Sequence, residues 1–191
     1  MLPARHYQEM SQRFLQELCG LWEKRDAMLQ QPAEHSLKDL HAVDDRIDAC
    51  ADGLFQMGMA AWPWLEEALH GQSAEGVFAA AFVALRFEET VVLDALWERF
   101  AIVDGESAVG FADALLLGAR LQHQAKLVEV LVGAAPHPAA IAAHVLACLG
   151  HPATNQPALA ALLIHEQPEV RHRVWQALAV ASSFAIDSHF I

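Results

Sequence analysis

Basic residues are scarce in this sequence. Its 191 residues include 24 aspartates and glutamates but only 12 lysines and arginines, which gives a formal net charge of −12 with neutral histidines. Nucleic acids and anionic membranes are bound through basic faces that neutralise phosphates. The charge balance therefore argues against both as partners. It leaves two interpretations of the acidity, a basic protein partner or simple solubility.

Sequence patterns typical of catalysis are also missing. No serine lies in a Gly-x-Ser-x-Gly pattern, and neither a phosphate loop nor a dinucleotide fingerprint occurs. Adjacent acids such as Glu66 and Glu67 face different directions on a helix, so they make a poor acid–base couple. We therefore predict no catalytic residue and no cofactor.

Metal-binding histidine motifs are absent, although the chain has 11 histidines. Neither His-x-x-x-His nor His-Glu-x-x-His occurs. His137, His144 and His151 follow one another at intervals of seven residues, which places them on one broad helix face, but two of them lie in predicted joints. We therefore predict no metal site.

Cysteines are few and long apolar runs are lacking. Cys19, Cys50 and Cys148 lie far apart without a Cys-x-x-Cys pair, which favours a reducing compartment and predicts that all three are buried. The longest apolar run, Val77–Leu85, is shorter than the roughly 18 residues of a membrane helix. The N-terminus lacks the basic head and apolar run of a signal peptide. We expect a cytoplasmic protein.

Apolar residues make up 54% of the chain, and alanine and leucine dominate them. Since β-branched residues are sparse and clustered, we predict an all-α fold. The length suits a single domain, 1–191, with one sizeable core.

A helical repeat of about 30 residues runs through positions 74–182. We predict that the first helices of successive pairs open near Ala74, Glu106, Pro138 and Pro168. The predicted pairs are 74–86 with 88–102, 106–118 with 120–134, and 138–149 with 155–166, followed by a first helix over 168–182. Stacked pairs of this kind bury a continuous core and form a solenoid.

An N-terminal helical unit, 1–72, is predicted to open the stack. It consists of one long helix or two short ones over 4–31, a helix that Ser36 caps together with Asp39, and a helix with Pro63 in its first turn. Residues 183–191 form an apolar tail. We expect it to fold over the open end of the stack or to be covered by a second copy in a homodimer.

Two stretches carry a family resemblance. Pro168-Glu169-Val170-Arg171, followed by Ala-Leu-Ala, resembles a HEAT-type repeat. Upstream, the stretches 37–40, 43–46, 51–54, 61–62 and 66–69, together with Trp22 and Arg25-Asp26, are similar to the N-terminal part of an uncharacterised HEAT-like family. That family is often found in type VI secretion gene clusters of Gram-negative bacteria. The resemblance implies a right-handed α-solenoid of HEAT-like antiparallel helix pairs and a bacterial, cytoplasmic, secretion-linked interaction protein. It implies no enzymatic activity.

Two sets of residues are candidates for partner binding. Asp44, Asp48 and Asp52 are four residues apart and share one helix face with Asp45 beside them, which is either a patch for a basic partner or a solvated helix side. Trp62 and Trp64 cannot both point inward on one short helix, so one of them is a candidate aromatic anchor.

Exposed polar residues of the second helices are further candidates for partner binding: Glu88, Glu89, Glu98, Gln122, Gln124, Glu129 and Glu166. We expect these helices to make the concave face of the stack.

The sequence favours a non-catalytic scaffold for protein–protein interaction. Two alternatives stay open. One is an acidic immunity-type protein that inhibits a basic toxin. The other is a HEAT-like enzyme or ligand binder with a His/Glu metal site, which would need convergent side chains that the sequence does not line up.

Overall fold

The computed structural model describes residues 4–151 and 156–187. Within these ranges the chain forms α-helices and two short 3-10 helices, and no strand occurs there, so the predicted all-α class is confirmed. The α-helices are α1 (Ala4–Gln30), α2 (Leu37–Gln56), α3 (Trp62–Leu69), α4 (Ala74–Ala84), α5 (Thr90–Phe100), α6 (Gly105–Gly118), α7 (Gln124–Gly133), α8 (Pro136–Cys148), α9 (Gln156–Leu163) and α10 (Pro168–Asp187).

The N-terminal unit follows its local signals closely. The helix α1 continues through Gly20 without a break. Ser36 caps α2 as predicted, because its hydroxyl accepts from the Asp39 N–H at 3.2 Å while the Ser36 N–H donates to the Asp39 carboxylate at 3.0 Å. Pro63 lies in the first turn of α3. Leu37 at the start of α2 is 76% exposed, because the whole α1–α2 turn is exposed to solvent.

The helices α4, α6, α8 and α10 begin at Ala74, Gly105, Pro136 and Pro168, which are 31, 31 and 32 residues apart. Each of them packs on the next one, and α4 also packs on α1, α2 and α3. The second helices are arranged differently. A groove separates α5 from α7, and α7 packs chiefly on α8.

The helix α4 is the centre of the core. Every residue from Val77 to Leu85 is buried, so α4 has no solvent-facing stripe and needs neighbours on all sides. Gly110 permits the tight contact with α6, because a Cβ atom at that position would lie 2.1 Å from the Ala74 carbonyl oxygen. The small residues of this region thus allow two helix backbones to approach closely.

Two predictions about the C-terminal part need correction. The exposed Cys148 is not the buried thiol that its apolar context suggests, whereas Cys50 is buried as expected. The last predicted helix was placed at 168–182, but α10 continues to Asp187. The rest of the predicted tail, residues 188–191, lies outside the described residues. None of the helices in the described ranges is long and apolar enough to cross a membrane.

Candidate functional site

The predicted acidic patch lies on α2, where three of its carboxylates face one arginine of α1 and one arginine in the turn after α4. The Arg25 Nε donates to the Asp44 carboxylate at 2.7 Å. Arg86 binds both remaining members of the row, Asp48 through Nη2 and Asp52 through Nε at 3.4 Å. Much of the negative charge that the sequence pattern predicts is therefore neutralised within the chain.

Arg86 was not singled out from the sequence, because it lies more than 30 residues from the aspartates that it pairs with. Its Nη1 donates to the Phe82 carbonyl at 2.8 Å, and its guanidinium lies 4.1 Å from the centre of the Phe82 ring. These contacts hold the guanidinium against the end of α4. Asp45 is exposed and lies outside these pairs, so it is the patch residue that stays open to a partner.

The two candidate anchor tryptophans are both partly or wholly covered. Trp62 is a core residue with 5% exposure. Trp64 is half-buried and lines a shallow cavity with Leu15 of α1. Among the aromatic side chains that the structure describes, Trp175 on α10 is the most exposed, at 61%, followed by Phe55 at 40%. The spacing of α10 did not reveal it. The homodimer through this end of the chain stays a prediction.

The groove between α5 and α7 is a more open acidic feature. Two cavities of about 390 and 380 Å³ lie end to end in it, and both are lined by Asp94, Trp97 and Lys126. One cavity extends towards Phe87 and the other towards Ala101. We call this continuous depression, including its rims, the α5–α7 groove.

Acidic side chains line the α5–α7 groove, and four of the exposed residues singled out from the sequence belong to it: Glu88, Glu98, Gln122 and Glu129. Glu129 binds Lys126 at 2.9 Å, and this hydrogen bond raises the pKa of the lysine. In the part of the chain that the structure describes, no cationic side chain lies within ion-pair distance of Glu88, Asp94 or Glu98. Their charges are therefore available to a partner.

The floor of the α5–α7 groove is aromatic and ordered by packing. Trp97 is 7% exposed, and its ring centre lies 6.1 Å from that of Phe100 and 6.0 Å from that of His123. The Nδ1 of His123 accepts from the Arg120 N–H at 3.0 Å. Burial lowers the pKa of His123, with the nearby Arg120 charge as a second cause, so this histidine is neutral at pH 7. The groove thus combines an apolar floor with acidic rims.

A second polar cluster lies where α1, α6, α8 and α10 meet. The Trp22 Nε1 donates to the Asp113 Oδ2 at 3.0 Å. Burial raises the pKa of Asp113, although the bond from Trp22 and the charge of Arg173 oppose this shift. Burial also lowers the pKa of Arg173, and the negative charge of Asp113 opposes this shift. The two groups of opposite charge are thus half-buried neighbours.

His144 on α8 is close enough to Arg173 for the two charges to interact. Burial lowers the pKa of His144 to about 4, and the charges of Arg173 and His172 act in the same direction. The Nδ1 of His144 and the Oε1 of Gln176 are buried without a hydrogen-bond partner among the described residues. Sequence reasoning noted His144 only for its spacing from His137 and His151. Within residues 4–151 and 156–187, no group of three or more histidine, cysteine, aspartate or glutamate side chains is arranged to hold a metal ion.

Comparisons with known proteins gave no match to a family model, to a curated protein or to a solved structure.

Proposed function

We propose that this protein is a non-catalytic interaction scaffold that binds a basic protein segment in the α5–α7 groove. The observation that supports this proposal is the set of unpaired carboxylates, Glu88, Asp94 and Glu98, beside the buried Trp97 ring. Rim carboxylates attract a basic partner and set its orientation, while an apolar floor provides contact area.

The groove has dimensions that suit a short helix. Its lining runs from Phe87, just before α5, to Ala101, just after it. The 11 residues of α5 alone span about 16 Å at 1.5 Å per residue. An amphipathic helix of about 14 residues could lie in it with its apolar face on Trp97 and its basic residues towards the rims.

The proposed architecture is a right-handed α-solenoid of HEAT-like pairs, supported by the regular starts of α4, α6, α8 and α10 and by the packing of each on the next. A cytoplasmic location is supported by the free state of all three cysteines. The link to type VI secretion rests on the family resemblance of the N-terminal sequence alone.

An immunity-type inhibitor of a basic toxin is the second candidate. The net charge of −12 favours it, because a large opposite charge speeds association with a basic protein and steers it into place. The same groove would serve both functions, and only the identity of the partner separates them.

The first experiment measures binding of a defined peptide by fluorescence anisotropy. The probe is a fluorescein-labelled peptide of about 14 residues with leucines and lysines at helical spacing, and the control peptide carries glutamate at each lysine position. We expect binding of the lysine peptide only. The affinity should fall steeply between about 50 and 300 mM salt, because screening weakens the rim charges.

Matched variants test where the peptide binds. Asp94→Asn with Glu98→Gln removes two groove charges and should weaken binding about 10-fold, which corresponds to about 1.4 kcal/mol. Asp48→Asn with Asp52→Asn removes two charges that share the guanidinium of Arg86 and do not line the groove, so binding should change less than about 2-fold. Equal losses in both double variants, or no binding of the lysine peptide, would contradict the proposal.

A further inference from the structure

The two walls of the α5–α7 groove differ in charge. We call its lining residues on and just before α5 the α5 wall, and those on and just before α7 the α7 wall. The ionisable residues of the α5 wall are all acidic: Glu88, Asp94 and Glu98. The ionisable residues of the α7 wall are His123, Lys126 and Glu129. Because burial lowers the pKa of His123 and keeps it neutral at pH 7, the α7 wall has no net charge, whereas the α5 wall carries three negative charges.

The arginines that are nearest to these walls in the sequence bond elsewhere. Arg99 of α5 donates to the Leu69 carbonyl at 3.3 Å and to the Gly71 carbonyl at 3.5 Å, and none of the three residues lines the groove. Arg120, just before the α7 wall, donates at 3.3 Å to two carbonyls near the end of α6. Neither guanidinium lies within ion-pair distance of an acid in the described part of the chain. The charges of the α5 wall are therefore not paired by these arginines.

Lys126 keeps the α7 wall neutral. Its Nζ donates to the Glu129 Oε2 at 2.9 Å, and the two residues are three positions apart on α7. Lys126 and Asp94 each line both cavities of the groove, so they lie on opposite walls where the two cavities meet. A cation of a partner is therefore attracted by the α5 wall and repelled by Lys126 on the other side.

The acids of the α5 wall have a spacing that a helical partner can match. Asp94 and Glu98 are four residues apart on α5, which corresponds to about 6 Å along the helix axis. Basic residues at positions i and i+4 of a helix lying along α5 have the same separation and share one edge of that helix. Glu88, just before α5, extends the acidic wall beyond the helix.

Given the proposed function, on which this inference rests, we propose that the partner of the α5–α7 groove is a helix whose lysines and arginines follow one edge of its apolar face. The basic edge lies along the α5 wall, the apolar face lies on Trp97, and an uncharged edge lies along the α7 wall. A helix with basic residues on both edges would place half of them beside Lys126, where the wall has no net charge to offer.

Two fluorescein-labelled peptides of about 14 residues test this arrangement by fluorescence anisotropy. Both contain the same numbers of leucines, lysines and glutamines. In the one-edge peptide all lysines lie on one side of the leucine stripe and all glutamines on the other, whereas the two-edge peptide has its lysines divided evenly between the sides. Because the net charges are equal, long-range attraction to the acidic protein is the same for both peptides. We expect the one-edge peptide to bind at least about 5-fold more tightly.

One variant and a control test whether Lys126 causes this preference. Lys126→Gln leaves Glu129 without its cation, so the α7 wall becomes acidic and the two-edge peptide should bind more tightly. The preference for the one-edge peptide should then fall below about 2-fold. Lys24→Gln makes the same change at an exposed lysine of α1, outside the groove, and should leave the preference as it is in the wild type.

The ratio of the two affinities is compared between proteins, so a difference in helix content between the free peptides does not affect the comparison. Equal affinities of the wild type for both peptides, tighter binding of the two-edge peptide, or an unchanged preference in Lys126→Gln would overturn this inference. The proposed function would stand in each of these cases, because the groove would still bind a basic helix. Absence of binding by both peptides would overturn the two proposals together.

Discussion

The acidic row on α2 and the acidic rims of the α5–α7 groove are built from the same residue types, yet they carry different amounts of available charge. Asp44, Asp48 and Asp52 face Arg25 and Arg86 across helix boundaries. Asp94 and Glu98 face a groove whose lysine is already bound to Glu129. The difference shows that the number of acids in a segment does not decide how much of their charge stays unpaired. The position of the cationic side chains does.

The two regions should therefore contribute differently to stability and to binding. The α2 carboxylates help to attach α2 to α1 and to the end of α4, so their removal costs stability. Among the groove carboxylates, Glu129 is paired with Lys126, whereas Asp94 and Glu98, four residues apart on α5, repel each other mildly and have no cation within ion-pair distance in the described chain. Substitutions should separate these two effects.

The largest loss of stability is expected for Gly110→Ala, because both acidic regions depend on the packing of α4 on α6. The added methyl group would lie 2.1 Å from the Ala74 carbonyl oxygen, so the two helices must move apart. We expect a cost of about 3 kcal/mol or more in the free energy of unfolding, measured by urea denaturation.

Gly20→Ala on α1 is the control for that substitution, since no atom lies within 4 Å of its added Cβ. It should be neutral or stabilise the protein by up to about 1 kcal/mol through helix propensity. Similar changes in the free energy of unfolding for the two substitutions would show that α6 packs less tightly on α4 than the 2.1 Å distance implies.

Arg86→Ala should have the second largest effect. It removes the contacts with Asp48 and Asp52, the hydrogen bond to the Phe82 carbonyl and the contact with the Phe82 ring. We expect a loss of about 2 kcal/mol in urea denaturation. Arg46→Ala, which breaks the exposed pair with Glu17, should cost less than about 1 kcal/mol. A cost for Arg86→Ala no larger than that for Arg46→Ala would contradict the anchoring role.

A smaller, pH-dependent effect is expected from His144, which has neither the ion pairs of α2 nor the open surroundings of the groove. Burial lowers its pKa to about 4 in the folded chain, from 6.5 for a free histidine. Between these two pH values His144 binds a proton in the unfolded chain but not in the folded chain. The contribution of His144 to the free energy of unfolding is therefore lost as the pH falls through this window. The lowered pKa of His123 acts in the same direction, and the raised pKa of Asp113 acts in the opposite direction.

The variant His144→Leu measures this contribution. Between about pH 7 and about pH 5 the urea midpoint of the wild type should fall further than that of the variant, because only the wild type has the histidine that takes up a proton on unfolding. A difference that does not change with pH would show that His144 titrates normally in the folded protein.

The smallest effects on stability should come from the carboxylate pairs themselves. Asp48→Asn with Asp52→Asn should cost about 1 kcal/mol, because both side chains are largely exposed partners of Arg86. Asp94→Asn with Glu98→Gln should change stability by less than about 0.5 kcal/mol. A larger loss of stability in the groove variant than in the α2 variant would show that the groove carboxylates, and not those of α2, stabilise the fold.

Local signals in the sequence identified much of the helical framework. Ser36 and Asp39 form a capping box because the two groups are three residues apart on one turn. The breakers around Asp104, Pro136 and Pro168 mark the starts of α6, α8 and α10 to within two residues. The sequence left one long helix or two short ones open over 4–31, and the structure has one, since a single glycine lowers helix propensity by only about 1 kcal/mol and the tertiary packing of α1 overrides it.

The candidate sites were predictable only in part. The sequence placed Glu88, Glu98 and Glu129 on exposed second helices, and these residues do line the α5–α7 groove. It could not reveal the pairing of Asp113 with Trp22, because the two residues are 91 positions apart and meet only through helix packing. It also offered one of Trp62 and Trp64 as an anchor, whereas Trp175 is the most exposed aromatic residue among those that the structure describes.

The sequence by itself determined the all-helical class, the helix caps, the spacing of the repeat and the excess of acid, since these depend on residue type and on interactions within a few positions. The tertiary structure decided which acids are neutralised, which are open and how the two walls of the groove differ in charge. Electrostatic interactions fall off with distance and with solvent screening. Whether a carboxylate is paired therefore depends on whether packing brings a cation within a few ångströms of it. Most of these cations belong to residues that are far from the carboxylate in the sequence.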